Sequence, residues 1–302
     1  MKTGFIGLGV IGAPMAGRVL DAGFDLGVWN RSVDKTVDLV KRGAHLAASP
    51  AALADVCETL CICVTDGAAL DQILFGASGV TQAQHPPQYI VDHSTIPPDQ
   101  TREMAKRLWD TTGSIWIDAP ISGGRIGALN GTLATFVGGP DAGVEAVTPV
   151  LNSFSSAVTH MGPTGSGQAT KACNQLIGFL SAVALSEALV LAENLGLDTT
   201  KLPAALQGGF ADTPVLQEWN RTRGADPLIG LPLHVEALRT LLSGQTPLPS
   251  YQGPSPANLR KDIAIIQSLA RQTDTPLPLT DQMAVVVGLL HASHSAIKDT
   301  AQ

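Results

Sequence analysis

Lys171, Asn174 and Gln175 stand at i, i+3 and i+4, so on a helix all three project from one face, which Gly178 and Ser181 continue. The other faces of this segment are apolar, which places the lysine at the border of a cleft. Partial desolvation lowers the pKa of an ammonium and lets it give or take a proton near neutrality, as hydride transfer to or from a carbinol carbon requires. A second group is Asp118-Ala119-Pro120-Ile121-Ser122-Gly123-Gly124, directly after an apolar run. Ser122 followed by Gly123 and Gly124 can present a hydroxyl and uncovered backbone N–H groups to one small anion, such as a carboxylate. A plain strand-to-loop turn is the alternative reading of the same residues.

A third group opens the chain. Phe5-Ile6-Gly7-Leu8-Gly9-Val10-Ile11-Gly12 is a strand pattern running into Gly-x-Gly-x-x-Gly and then a helix pattern. In such a cradle Gly7 permits the tight turn, Gly9 lets backbone approach a pyrophosphate, and Gly12 lets helix pack on strand, with the helix N-terminus facing the anion. In a chain with 31 glycines the spacing is weak by itself, and its placement after the first strand carries the reading. The second strand ends at Trp29-Asn30-Arg31-Ser32, where a cofactor without a 2′-phosphate would usually meet an acid. Asn30, Arg31 and Ser32 instead offer amide, guanidinium and hydroxyl donors suited to a ribose phosphate, so NADP is expected in preference to NAD.

These groups need elements to hold them. Strand patterns at 2–6, 25–29, 60–64, 88–91 and 114–117 alternate with helix patterns at 10–21, 32–42, 49–56, 66–74 and 97–109, the rhythm of a parallel sheet wrapped by helices. Ser32 and Ser49-Pro50 read as helix starts. Further strands at 131–139 and 157–160 predict a mixed-direction edge. From 167 to 195 proline is absent and Gly178 is the one interior glycine, so a single helix of about 29 residues, roughly 43 Å long, is expected, apolar almost all round between 176 and 192 and therefore buried. Further helices are predicted at 199–207, 213–222, 257–273 and 279–296. The stretch 225–256 holds six prolines and reads as an irregular excursion with a short helix near His234 to Leu242. The chain is thus expected to form an α/β domain over 1–163 and an all-α domain over 164–302, joined by the long helix.

Composition narrows the function. The 302 residues are 44% apolar but only 15% charged, against about a quarter in an average soluble protein, which points to surface covered by subunit contact. A net charge of −7 without a basic run argues against nucleic acid as a partner. The uncharged, apolar stretch 172–186 is short for a bilayer and carries Asn174 and Gln175, so no membrane partner is expected. Cys57, Cys61, Cys63 and Cys173 lack zinc-site spacing and read as reduced thiols of a cytoplasmic protein. His93, His160, His234, His291 and His294 show no metal spacing, and no metal is expected.

Four blocks in order carry a resemblance: Gly-Leu-Gly-Val-Ile-Gly-Ala-Pro-Met-Ala at 7–16, Asp-Ala-Pro-Ile-Ser-Gly-Gly at 118–124, Gly-Ser-Gly-Gln-Ala-Thr-Lys-Ala-Cys-Asn-Gln at 165–175, and Lys261-Asp262. Over almost its whole length the chain resembles the β-hydroxyacid dehydrogenases, a family that includes 3-hydroxyisobutyrate dehydrogenases, tartronate semialdehyde reductases and glyoxylate/succinic semialdehyde reductases. The resemblance implies an N-terminal Rossmann domain, a helical domain entered by the long helix, and a homodimer or homotetramer formed through the helices. It further implies that Lys171 is the general acid/base, that Ser122, Gly123 and Gly124 hold a substrate carboxylate, and that Asn174 orients the substrate with Gln175 beside it. Val64, Thr65, Asp66 and Thr95 would lie along the nicotinamide, and Lys261 would approach the cofactor. Asn-Gln at 174–175 looks most like the tartronate semialdehyde reductase branch.

The family's compact Phe-x-Pro-Gly-Phe segment is replaced here by the proline-rich 225–256 stretch, which leaves the substrate open; Phe210 and Asp212 are candidate pocket residues, with a helix-terminating loop as the other reading. The function expected is hydride transfer between NADP and a small 3-hydroxy acid or semialdehyde. An imine reductase of the same superfamily is a rival that the retained Lys171 argues against, and a non-catalytic dinucleotide-binding protein is a second.

Overall fold

The computed structural model describes residues 2–224, 230–244 and 256–300. The chain divides into two units, Met1–Lys171 and Ala172–Gln302. The first runs β1 (Lys2–Ile6), α1 (Gly12–Asp21), β2 (Asp25–Trp29), α2 (Val37–Lys41), β3 (His45–Leu46), α3 (Pro50–Ala54), β4 (Thr59–Ile62), α4 (Gly67–Phe75), β5 (Tyr89–Asp92), α5 (Pro98–Thr112), β6 (Ile115–Asp118), β7 (Ile121–Ser122), α6 (Gly124–Asn130), β8 (Leu133–Gly138), α7 (Asp141–Leu151), β9 (Ser155–Gly162) and the start of α8 (Ser166–Asn194). The sheet order is β3-β2-β1-β4-β5-β6-β8-β7, with β9 beside β8. The strands from β3 to β6 in that order are parallel; β8 is antiparallel to β6 and β7, and β9 parallel to β8. The expected mixed edge is therefore present. Strand order reverses between β1 and β4, and in open α/β sheets the crevice outside the carboxyl ends at that point is where ligands sit.

Alternation along the strands builds this unit's core. Phe5, Cys61, Val91 and Ile117 point into one cluster with Met15, Val19, Val28 and Phe154. Their neighbours Ile6, Leu60, Ile62, Ile90 and Trp116 point into the other, with Leu53, Leu70 and Leu108. Both faces are covered, so the strands read as unbroken apolar runs. The thiols behave as small hydrophobes here: burial pushes Cys57 and Cys63 up to about 12 and raises Cys61 as well.

Most elements fall within a residue or two of their expected bounds. Ser49 caps α3 as expected, its Oγ accepting from the Ala52 N–H at 3.0 Å. Ser32 does not cap: the expected helix over 32–42 opens as a 3-10 turn, Val33–Thr36, with no bond from the Ser32 side chain, and becomes α-helical only at α2. β3 and β7, two residues each, are too short to show a period. α6 is hidden by its two glycines, which have poor helix propensity. A Cβ at Gly127 would stand 2.9 Å from Leu133 Cδ2, so the glycine allows α6 to lie close to β8.

The second unit comprises the rest of α8, then α9 (Leu202–Leu206), α10 (Pro214–Thr222), α11 (Leu231–Leu242), α12 (Pro256–Gln272) and α13 (Pro278–Thr300). Ala182 and Leu189 of α8 pack with Val215, Leu216, Trp219 and Val235, while Phe179 packs with Leu259, Ile263, Met283 and Val287. Two expectations about α8 need correction. Its 29 residues make it long and apolar enough to cross a membrane by length and composition, because a helix continues past the charged residues at which an uncharged run stops. Nor is it buried all round: Ile177 and Leu191 are 67% and 61% exposed. Of the 225–256 stretch, the expected short helix is present as α11, and residues 225–229 and 245–255 lie outside the described residues, as do the side chains of His291 and His294.

Each unit buries a histidine in its core. His93 stacks on Phe5, meets Phe154 edge-on and has Nδ1 2.7 Å from the Ala119 carbonyl. His234 has no hydrogen-bond partner on either ring nitrogen among the described residues. Burial holds both at about 4, so both are neutral at pH 7. Below about 6.5 the unfolded chain takes up protons that the folded one refuses, and stability falls until the pH reaches the folded values. We expect each histidine to cost about 2 kcal/mol between pH 6.5 and 5. Urea midpoints measured across this range should therefore drop, and His234→Leu should flatten the drop; an equal drop in the variant would remove His234 from the account.

Candidate active site

The cradle forms where β1 passes into α1. Gly7 has φ +94°, and a Cβ there would lie 2.1 Å from the Cys63 carbonyl oxygen; one at Gly12 would lie 1.9 Å from that of Gly7. These two glycines are demanded by the protein's own packing. At Gly9 a Cβ would meet nothing within 4 Å, and both Gly9 and Val10 are exposed. The loop thus offers uncovered backbone at the start of a helix, which fits the diphosphate of a dinucleotide arriving from outside.

Asn30, at the end of β2, braces this loop. Its Oδ1 accepts from the Leu8 N–H at 2.9 Å, and its Nδ2 donates to the Ser32 carbonyl at 2.8 Å. The amide expected to donate to a ribose phosphate thus gives one N–H of its Nδ2 to Ser32 and keeps the other, while Arg31 and Ser32 stand exposed beside it. Along the same edge, the Val64 N–H donates to Ser94 Oγ (3.1 Å), and the Ser94 N–H donates to Asp92 Oδ1 (2.9 Å). Asp66 caps α4, Oδ1 accepting from Ala69 N–H (2.9 Å) and Oδ2 from the Thr65 hydroxyl (3.0 Å). Gly7–Gly12, Asn30–Ser32, Val64–Asp66 and Thr95 all follow the carboxyl ends of parallel strands β1, β2, β4 and β5.

Asp118, at the end of β6, is a positioning group whose role the sequence did not disclose. Fully buried, it accepts from the Gly165 N–H on Oδ1 (2.7 Å) and from the Gln168 N–H on Oδ2 (3.0 Å). A carboxylate here satisfies amides that the start of α8 leaves unpaired and complements the helix dipole. Burial raises its pKa, against the lowering effect of the N–H groups of Gly165 and Gln168. A Cβ at Gly167 would stand 2.4 Å from the Phe136 carbonyl oxygen, so this helix start fits only with glycine there. Lys171 follows in the second turn, 7% exposed, as the last residue of the first unit. Ser122 ends β7, half-buried; Gly123 (φ +122°) and Gly124 (φ +59°) turn the chain into α6 with their backbone exposed.

In the second unit a short relay links three of the expected residues. Asn174 Nδ2 donates to Gln175 Oε1 (3.1 Å), Gln175 Nε2 donates to Asp262 Oδ2 (2.7 Å), and Lys261 Nζ lies 3.4 Å from Asp262 Oδ1. Asp262, present in the sequence motif but without an assigned task, is the link. Phe210 is fully exposed, and Asp212 accepts from the Gly208 N–H (2.9 Å) and from the Gln217 side chain, holding its own turn. The loop reading of 208–212 therefore describes these residues better than the pocket reading.

A parallel sheet in this order, with a glycine cradle beside its switch point, defines a dinucleotide-binding domain of the oxidoreductase kind. The model of the NAD binding domain of 6-phosphogluconate dehydrogenase matches residues 2–162, and that described as NAD-binding of NADP-dependent 3-hydroxyisobutyrate dehydrogenase matches 165–227. The chain is 38% identical over 218 residues to 2-hydroxy-3-oxopropionate reductase of Escherichia coli K12, covering 72% of this chain and 74% of that one. Among solved structures, 3-hydroxyisobutyrate dehydrogenase of Mycobacterium tuberculosis with L-serine superposes with TM-score 0.73 at 27% identity, over 100% of this chain and 99% of the other. The Salmonella typhimurium 3-hydroxyisobutyrate dehydrogenase gives TM-score 0.79 over 98% and 95%, at 23% identity, a likeness of fold alone. The chain belongs to the β-hydroxyacid dehydrogenase family, and it is an NAD(P)-dependent dehydrogenase or reductase acting on a hydroxyl-bearing carbon.

The glycines separate folding from binding. Gly9→Ala should leave the melting temperature within about 2 °C of the parent, while weakening dinucleotide binding, followed by protein fluorescence, about tenfold. Gly7→Ala, strained and in collision with Cys63, should lower the melting temperature sharply. Equal losses of stability in the two variants would contradict the division.

Proposed function

We propose that the chain is an NADP-preferring enzyme interconverting a small 3-hydroxy acid, or a related 2-hydroxy-3-oxo acid, with its carbonyl partner. The observation that carries this reading is the buried Lys171, set in the second turn of a helix whose first turn is fastened to the dinucleotide-binding sheet by Asp118. When bound, the nicotinamide supplies or accepts the hydride. Lys171 holds a proton at Nζ, gives it to the carbonyl oxygen during reduction and takes it from the hydroxyl in the reverse direction. The Ser122 hydroxyl and the N–H groups of Gly123 and Gly124 hold the substrate carboxylate, and Asn174, one turn beyond Lys171, orients the reacting oxygen. The name of the E. coli relative and the L-serine in the mycobacterial structure support a short carboxylate with an oxygen on its third carbon.

The NADP preference rests on Arg31 and Ser32 and on the lack of an acid at the end of β2. The exposed apolar side chains Ile177 and Leu191 of α8 and Val285 and Leu289 of α13 support assembly as a homodimer or homotetramer.

Consumption of NADPH with a panel of small semialdehydes, hydroxy acids with NADP, and cyclic imines tests the reading. Lys171→Ala should lower kcat by about 10²- to 10⁴-fold with the Kd for NADPH unchanged; undiminished turnover would take Lys171 out of the mechanism. Arg31→Glu should move the preference from NADP toward NAD, seen as the ratio of the two kcat/KM values.

A further inference from the structure

Gln168 lies one turn before Lys171 and is 1% exposed. Its backbone N–H is taken by Asp118, and its side chain turns the other way, onto the loop after β5. There Nε2 donates to the Ser94 carbonyl at 2.7 Å, and Oε1 accepts from the Ile96 N–H at 3.4 Å. One primary amide thus takes the carbonyl before Thr95 and the N–H after it, as a neighbouring strand would. Ser94 in turn accepts from Val64 N–H and is held by Asp92, so the bracketed segment is anchored at its Ser94 end by the sheet as well as by Gln168. A buried glutamine with both ends of its amide bonded to backbone is rigid, and what it joins is the Lys171 turn of α8 to the segment carrying Thr95.

We propose that Gln168 is a positioning residue: its side-chain amide brackets Thr95, the residue expected along the nicotinamide, and sets it in register with Lys171, the proposed proton carrier. The inference rests on the function proposed above. Gln168 touches no reacting atom and acts through the 94–96 segment. Glutamate at this position would keep the acceptor for Ile96 and lose the donor to Ser94. Leucine would lose both and leave the Ser94 carbonyl and Ile96 N–H buried without their partner.

The experiment has two arms. In the protein without cofactor, Gln168→Leu should lower the melting temperature by several degrees, the cost of two unpaired backbone groups, and should speed hydrogen exchange of the amides at 95 and 96 by at least about tenfold more than that of the amides in β1 and β4; Gln168→Glu serves if the leucine variant does not fold. In turnover with NADPH and the best substrate of the panel, Gln168→Leu should lower kcat about tenfold with the Kd for NADPH within about threefold, and Thr95→Ala should mask most of that loss in the double variant. Unchanged exchange at 95–96, or losses that simply multiply with those of Thr95→Ala, would overturn the proposal. Failure of the underlying function is separate, since it shows as retained turnover in Lys171→Ala.

Discussion

The carboxylate of Asp118, fully buried and accepting the N–H groups of Gly165 and Gln168, is the interaction on which the candidate site depends. A helix start buried against a sheet leaves amide donors without partners, and each would cost about 1–3 kcal/mol if left so. A carboxylate here also complements the helix dipole, and the bonds it makes offset part of the cost of burying its charge, burial remaining the larger effect on its pKa. The arrangement works only at close range. Gly138 and Gly167 supply that range, since a Cβ at either would lie within 3.0 Å of Asp118 oxygens.

The same economy of space governs the cradle. Gly7 and Gly12 are held by contacts with Cys63 and with each other, so the protein's own packing sets their conformations. A loop fixed in this way keeps down the ordering entropy lost when a dinucleotide binds. On either side of it, Asn30 and Ser94 tie the loop ends of neighbouring strands together through side chain to backbone bonds. The edge of the sheet is a surface of cross-linked turns, which suits a site that must hold several groups in fixed relation.

Much of this was legible in the sequence because it is local. The glycine spacing at 7–12, the helical face at Lys171, Asn174 and Gln175, and the cap at Ser49 each lie within one element, and their physics acts within a few residues. The parallel sheet followed from the alternation of strand and helix patterns. What the sequence did not disclose are bonds spanning 47 residues to Gly165, 74 from Gln168 to Ser94 and 87 from Gln175 to Asp262. Asp118, Gln168 and Asp262 stood inside conspicuous motifs, but a polar residue's task is set by what the fold brings to it. Ser32 shows the converse: a good capping residue by type, it caps nothing because the chain after it enters a 3-10 turn.

Asn30 spends both ends of its amide on the backbone of the glycine-rich loop and of its own turn, leaving the adjacent Arg31 side chain outside that structure. In the proposed function, loop architecture and the discrimination between two coenzymes therefore fall to neighbouring but separate residues. On that reading, descendants of this chain can drift at position 31, trading one redox pool of the cell for another, without first having to rebuild the turn proposed to hold the diphosphate.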